Sequence, residues 1–308
     1  MKIICITPLS DTMMENLSSK GEVEYYPDAN KDFLREKLTI ESYDVIFTNP
    51  NKQNFMLDEE VLESSGISII CTASTGLNHI DLDYCYKKSI KVLSITRDYV
   101  ILEKISSTAE HSFALMTSLI RKIPSSFDSV KEGRWDWESF IGRQMDQMTV
   151  GIVGFGRLGK MMAKYCAAFG SNVVVYDPYV EVSGYKKVFS LESLFGISDI
   201  VSLHVHVSDE TKYFIDTDIL SHATKSLYLI NTSRGEIVNE SDVIRALEKG
   251  VLSGYATDVV EDEFGDIQNS QLVARSEDLN IIITPHIGGM TKEAREMAYN
   301  AAINKLKA

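Results

Sequence analysis

Three short stretches carry side chains able to do chemistry on a small polar molecule, and each follows an apolar run that reads as a strand. Asn231-Thr232-Ser233-Arg234-Gly235 brings a guanidinium, Asp258-Val259-Val260-Glu261-Asp262-Glu263 brings carboxylates, and Thr284-Pro285-His286-Ile287-Gly288-Gly289 brings an imidazole. In an open α/β sheet, ligands bind beyond the carboxyl ends of the strands, so one Arg, one acid and one His can converge there without being neighbours in sequence. An imidazole can pass a proton to or from an oxygen near neutral pH. A guanidinium can grip a carboxylate through two parallel hydrogen bonds. Together they make a dehydrogenase constellation. Each group also has a plainer reading. Arg234 could be a strand-end cation, Glu263 lies in an acidic run of the kind usually solvated, and His79, His111, His204, His206 and His222 read first as surface histidines.

A second set of residues points to a cofactor. The run Thr149–Val153 leads directly into Gly154-Phe155-Gly156-Arg157-Leu158-Gly159, and a helical pattern follows with Leu158, Met161, Tyr165, Cys166 and Phe169 on one face. Gly154 permits a tight turn, Gly156 lets backbone approach a pyrophosphate, and Gly159 allows close packing of helix on strand. The helix N-terminus offers free N–H groups and partial positive charge. The next strand, Asn172–Tyr176, ends at Asp177, 18 residues beyond Gly159 and near the spacing of a ribose-binding acid. A 2′-phosphate there would meet like charge, and no Lys or Arg follows until Lys186. The expected cofactor is therefore NAD rather than NADP.

These groups need a scaffold of alternating strands and helices. Strands are expected at Lys2–Thr7, Val23–Tyr26, Asp44–Thr48, Ile67–Thr72 and Lys91–Ile95, with short helices at Asp32–Leu38, Asp58–Ser64 and Leu82–Lys88. A long helix, from about Ser107 to Ile120, should stop near Lys122-Ile123-Pro124, because proline disfavours continuation. A polar stretch with Trp135 and Trp137 follows, and the alternation resumes at Met148–Val153, Asn172–Tyr176, Ile200–His204, Ser226–Asn231, Gly254–Asp258 and Asn280–Thr284. The 308 residues, 44% hydrophobic and 24% charged, suit two folded domains and not a disordered or fibrous chain. With 31 Lys and Arg against 44 Asp and Glu, the net charge is −13, opposite to a nucleic-acid or anionic-membrane binder. The four cysteines have no metal-ligand or disulfide spacing, and no segment has the apolar length of a membrane span. Neither a metal nor a membrane is expected, and a cytoplasmic protein is.

The ordered motifs resemble those of the D-isomer-specific 2-hydroxyacid dehydrogenases, the family of phosphoglycerate, glycerate and D-lactate dehydrogenases. The residues that carry the likeness are Ala109-Glu110-His111, Gly151 to Gly159, Asn231 to Gly235, Asp258-Val259, Glu263, and Thr284 to Gly289. The resemblance implies an α/β fold of two domains, a Rossmann dinucleotide-binding domain at 104–285 inserted into a discontinuous flavodoxin-like substrate domain at 1–103 and 286–308. It implies hydride transfer between NAD and a small D-2-hydroxy acid, with Arg234, Glu263 and His286 as the catalytic set. His286 is the acid/base, Glu263 orients it, and Arg234 anchors the substrate carboxylate. Asp258 is expected to bond the nicotinamide carboxamide. Thr108, Gly154, Gly156, Arg157, Leu158, Gly159, Asp177, His204, Val205, Thr211, Thr232 and Gly288 are expected to line the cofactor.

Ala73-Ser74-Thr75-Gly76-Leu77-Asn78-His79-Ile80-Asp81 resembles the family's substrate loop, with Ser74, Asn78 and His79 departing from its commonest residues. Backbone amides of Thr75, Gly76 and Leu77 would grip the substrate carboxylate. Asn49, Asn51 and Lys52 could meet its far end or form an ordinary polar loop. The final helix, Thr291 to about Leu306, should return to the first domain. A homodimer through the cofactor domain is expected, with Trp135 and Trp137 either at its interface or buried in the monomer. Two alternatives stay open: a same-family dehydrogenase of another small anion such as phosphite or formate, and a nucleotide-sensing module like the corepressors that resemble these enzymes.

Overall fold

The computed structural model describes the chain apart from Asn51, Phe264 and Ala308. It divides into two compact units, Met1–Ile105 with Met290–Ala308, and Ser106–Gly289.

The first unit is built on five parallel strands, β1 (Lys2–Cys5), β2 (Glu22–Tyr25), β3 (Val45–Thr48), β4 (Ile69–Thr72) and β5 (Lys91–Leu93). Their order is β2-β1-β3-β4-β5, the doubly wound arrangement of flavodoxin-like sheets. Because side chains alternate across a strand, Ile4, Ile46 and Ile70 pack on one face beneath Leu34, Leu38, Val61 and Tyr84. Ile3, Val45, Phe47 and Cys71 pack on the other. The helix Lys292–Ile303 covers this second face with Tyr299, Ala302 and Ile303. It is tied there by Thr7 Oγ1 to Tyr299 Oη at 2.9 Å. The last helix thus completes a sheet made from the first hundred residues, and the first unit is discontinuous in sequence.

The second unit has seven parallel strands, β6 (Thr149–Val153), β7 (Asn172–Tyr176), β8 (Lys186–Val188), β9 (Ile200–Leu203), β10 (Leu227–Asn231), β11 (Leu252–Thr257) and β12 (Ile281–Ile283). The order β12-β11-β10-β9-β6-β7-β8 reverses direction between β6 and β9, the switch point at which Rossmann sheets hold dinucleotides. Helix Ser107–Ile120 and helix Arg157–Ala168 contribute Leu115, Met116, Leu119, Met162, Ala163 and Cys166 to one core layer.

Several sequence expectations need correction. Pro124 does not simply end the long helix; it sits in the first turn of a new one, Ile123–Lys131, where its missing N–H costs nothing. The turn between the two helices is made by Lys122 at φ +51°. The helix after the glycine loop buries Gly159, Met162, Ala163 and Cys166, while Phe169 is exposed. The edge strand β8 and the helix Asp11–Ser18 had no clear signature in the sequence. Residues 286–289, expected with the returning segment, group with the second unit. The amides of His286, Ile287 and Gly288 are hydrogen-bonded to Asp258, which holds them at the end of β11.

Candidate active site

At the switch point, β6 turns sharply into the helix that begins at Arg157. Gly154 has φ +89°, and a Cβ there would lie 2.5 Å from the His204 carbonyl oxygen, so both conformation and space demand glycine. A Cβ on Gly159 would lie 2.0 Å from the Gly154 carbonyl oxygen, which shows how closely helix and turn approach. Gly156 is different: nothing lies within 4 Å of where its Cβ would be. Its missing side chain leaves open space at the helix N-terminus, the concavity a pyrophosphate needs. The residues present therefore fit a dinucleotide.

Asp177 closes the far side of this turn at the end of β7. Its Oδ2 accepts from Phe155 N at 2.7 Å, and Oδ1 accepts from Tyr179 N at 2.8 Å and Val180 N at 2.9 Å. It is thus locked against the glycine loop. His204 and Val205 follow β9 and flank Gly154. Burial pushes the His204 imidazole down to about 4, so the ring is neutral at physiological pH, with Nε2 2.9 Å from Ser202 Oγ. Arg157 and Leu158 lie half-buried in the first helical turn. Thr211 sits on the loop after β9, its hydroxyl donating to the His206 carbonyl at 2.6 Å and accepting from Ser208 N at 2.8 Å.

The next three strands carry the chemical groups. After β10, Asn231 Oδ1 accepts from Ser233 N at 3.0 Å and Asn231 Nδ2 donates to the Arg234 carbonyl at 2.8 Å. This small ring of bonds shapes the turn that presents Arg234. Gly235 cannot carry a side chain, since a Cβ would lie 2.0 Å from the Val260 carbonyl carbon. That contact presses the arginine turn against the segment after β11. Thr232 Oγ1 meets Ser112 Oγ at 2.5 Å, linking the turn to helix Ser107–Ile120, whose Thr108 carbonyl accepts from Ser112 Oγ at 2.8 Å.

Beyond β12, His286 Nδ1 lies 2.8 Å from Glu263 Oε2. A carboxylate only accepts, so Nδ1 carries the proton and Nε2 is the ring atom left for other work. Glu263 is half-buried, with its side chain 25% exposed, while Glu261 and Asp262 are exposed. Its pairing separates it from the solvated acidic run around it. The site brings Glu263 and His286 into direct contact and places the Arg234 turn beside the same loop.

Asp258 is 2% exposed and works inside the protein. Its Oδ1 accepts from Thr284 Oγ1 at 2.6 Å and Ile287 N at 2.9 Å, and its Oδ2 from Gly288 N at 2.7 Å. Burial pushes this carboxyl up, but hydrogen bonds from His111, Thr284, Ile287 and Gly288 outweigh that and hold it below the usual carboxylate range. His111, read from sequence as a surface histidine, is half-buried with Nε2 2.9 Å from Thr284 Oγ1. Its position three residues after Thr108 in the long helix was the available signal. His79 is likewise buried, with Nε2 3.1 Å from Thr72 Oγ1, whereas His206 and His222 are exposed.

In the first unit, the loop after β4 turns its carbonyls into the protein. The Thr75 carbonyl accepts from Thr96 Oγ1 at 2.9 Å and the Gly76 carbonyl from Ser74 Oγ at 2.6 Å. Among the described residues, the amides of Thr75, Gly76 and Leu77 have no acceptor. Lys52 is paired with Asp28 at 2.6 Å, and Asn51 lies outside the described residues.

This geometry, a Rossmann sheet with a glycine cradle and a paired Glu and His at its strand ends, defines a dinucleotide-dependent oxidoreductase. Residues 113–288 match the family model of the D-isomer specific 2-hydroxyacid dehydrogenase NAD binding domain. The chain is 31% identical over 302 residues to D-3-phosphoglycerate dehydrogenase of Archaeoglobus fulgidus, an alignment covering 96% of this chain and 54% of that protein. It is 33% identical over 284 residues to a 2-hydroxyacid dehydrogenase homolog of Zymomonas mobilis, covering 85% of this chain and 84% of the relative. The D-lactate dehydrogenase of Aquifex aeolicus, solved with NAD and lactic acid, superposes with a TM-score of 0.80 at 29% identity, covering 100% of this chain and 95% of that one. The chain belongs to the D-isomer-specific 2-hydroxyacid dehydrogenase family. It binds NAD in the Ser106–Gly289 unit. It spans about half the length of the phosphoglycerate dehydrogenases it matches, 54% and 57% of two of them. Among the described residues, no helix is long and apolar enough to cross a membrane.

Proposed function

We propose that this protein interconverts a small D-2-hydroxy acid and its 2-keto acid, with NAD as the redox partner. The observation that carries the reading is the 2.8 Å bond from His286 Nδ1 to Glu263 Oε2, which leaves Nε2 as the proton-handling atom. Bound nicotinamide supplies the hydride equivalent in reduction and accepts it in oxidation. His286 Nε2 gives its proton to the oxygen that becomes the hydroxyl, and in the reverse direction takes it back. Glu263 keeps the ring in one orientation and one tautomer, with the proton on Nδ1 and Nε2 turned outward. Arg234, always charged, holds the substrate carboxylate and polarises the adjacent carbonyl. Within the first unit, the open amides of Thr75, Gly76 and Leu77 suit the binding of a carboxylate.

The named activities of relatives and structural neighbours, on phosphoglycerate, lactate and glyoxylate, share one chemical class, a short acid oxidised or reduced at C2. The decisive experiment is NADH oxidation against pyruvate, glyoxylate, hydroxypyruvate and oxaloacetate. Turnover with at least one, lost by roughly 10²- to 10⁴-fold in His286→Ala, is expected. NADH binding without turnover of any would favour a nucleotide-sensing module, and turnover of phosphite or formate alone would move the substrate class. Preference for NADPH over NADH would refute the role of Asp177.

We also assign a homodimer interface to the cofactor-binding unit. Ile123, Phe127, Trp135, Trp137 and Ile141 are exposed together along one stretch, Trp135 by 80% and Trp137 by 71%, which removes burial within the monomer as their explanation. Sedimentation should show a dimer that Trp135→Glu weakens; a monomeric wild type would refute it. The four cysteines are buried unpaired thiols, which suits a reducing compartment such as the cytoplasm.

A further inference from the structure

His286 has φ +53°, a left-handed conformation that few residues with a side chain adopt. Something must hold it there, and the bonds around it converge on Asp258. The Asp258 carbonyl accepts from His286 N at 2.9 Å, Oδ1 from Ile287 N at 2.9 Å, and Oδ2 from Gly288 N at 2.7 Å. Three successive amides of the histidine loop therefore end on one residue. The fit is tight: a Cβ on Gly288 would lie 3.0 Å from Asp258 Oδ2 and 3.3 Å from Thr108 Cγ2.

Asp258 is held in turn. Its Oδ1 accepts from Thr284 Oγ1 at 2.6 Å, and His111 Nε2 lies 2.9 Å from that hydroxyl and 3.3 Å from Oδ1 itself. An ionised carboxylate only accepts, so the hydroxyl hydrogen points to Oδ1. His111 must then carry a proton on Nε2 to donate to the hydroxyl oxygen. The order of donation is His111 to Thr284 to Asp258, a part-buried chain that ends on a buried carboxylate, where such bonds reinforce one another.

We propose that His111 is a positioning residue for His286. Acting through Thr284 and Asp258, it ties helix Ser107–Ile120 to the 285–288 loop and keeps that loop in the conformation that presents the imidazole to Glu263. The proposal rests on the reading of His286 as the acid/base, and it gives Asp258 a role inside the protein beside the expected bond to the nicotinamide carboxamide.

The test uses His111→Leu, His111→Gln, Thr284→Val and Thr284→Ser in the full chain. Leu and Val remove the donor or the relay with little change in volume, whereas Gln and Ser keep an N–H or a hydroxyl. Three readouts are taken: the downfield Nδ1 proton resonance of His286, the split between kcat and KM with NADH and the best 2-keto acid of the panel, and Tm. In His111→Leu and Thr284→Val we expect the resonance to broaden or vanish and kcat to fall about tenfold, as for one lost hydrogen bond to a charged group. NADH affinity should stay within about twofold. His111→Gln and Thr284→Ser should recover most of both signals. The proposal is overturned if His111→Leu keeps kcat and the resonance, or if Gln is no better than Leu at equal Tm. Should the wild type turn over no 2-keto acid, the acid/base reading fails by itself. The resonance, present in the wild type and lost in His111→Leu, would still support the positioning, and its persistence would sink it.

Discussion

Two glycines of one turn, Gly156 and Gly159, should respond oppositely to the same added methyl. At Gly159 the new Cβ would lie 2.0 Å from the Gly154 carbonyl oxygen, 3.1 Å from its carbon and 3.3 Å from Ile152 Cγ2. The obstacle is backbone, so helix and turn must separate by roughly 1 Å, an overpacking that costs about 1–3 kcal/mol. For a unit of this size that corresponds to a fall in Tm of about 3–10 °C. At Gly156 nothing lies within 4 Å, and φ −72° is open to alanine. There the fold loses only the small preference for glycine at a helix cap, under about 1 kcal/mol. The methyl instead enters the space through which the pyrophosphate reaches backbone N–H groups. Losing one such charged hydrogen bond, worth about 1.5–3 kcal/mol, weakens NADH binding by roughly 10- to 100-fold. Thermal melts and NADH fluorescence titrations separate the two effects. Gly156→Ala binding NADH like the wild type, or Gly159→Ala melting like it, would refute the reasoning.

Other expectations follow from the same geometry. Glu263→Gln keeps an acceptor for His286 but drops its charge, and kcat should fall by roughly 10- to 100-fold in steady-state assays; an unchanged kcat would detach the pair from the chemistry. Arg234→Lys keeps the charge but loses the planar two-point grip, so KM should rise and kcat fall together, by about tenfold or more in kcat/KM. His204 is held near 4, below its value of about 6.5 in an unfolded chain, so the unfolded state binds the extra proton between those values. Its contribution is intact above pH 6.5 and is lost as pH falls toward 4, by about 3 kcal/mol. Urea melts of wild type and His204→Gln should diverge across that window, and parallel curves would show the ring is not desolvated.

Much of the site was legible because its cues are local. Gly154, Gly156 and Gly159 announce a turn and a helix start within six residues, and Asp177 follows at the end of the next apolar run. Strand positions came from apolar runs covered on both faces, and they land within two or three residues of β1, β6, β7 and β10. The long helix ends at Ile120 as expected, but the helix that Pro124 opens was not foreseen, because proline is equally at home ending one helix and beginning another. Of the apolar set Leu158, Met161, Tyr165, Cys166 and Phe169, only Cys166 is buried, because apolar character does not say which side of a helix meets a core.

By itself the sequence determined the class of the fold, the cofactor turn, and the identity of Arg234, Glu263 and His286 as the groups worth watching. Tertiary structure decided what those groups do to one another. Glu263 differs from Glu261 and Asp262 only because the chain brings His286 to 2.8 Å from it. His111 stops being a surface histidine only because Thr284, 173 residues away, meets it across the end of the sheet. Asp258 turns inward because the loop after β12 folds back over it. Spacing along a chain encodes helices, strands and turns, since those depend on near neighbours. Hydrogen bonds between strand ends depend on sheet order and packing, and no local pattern contains them.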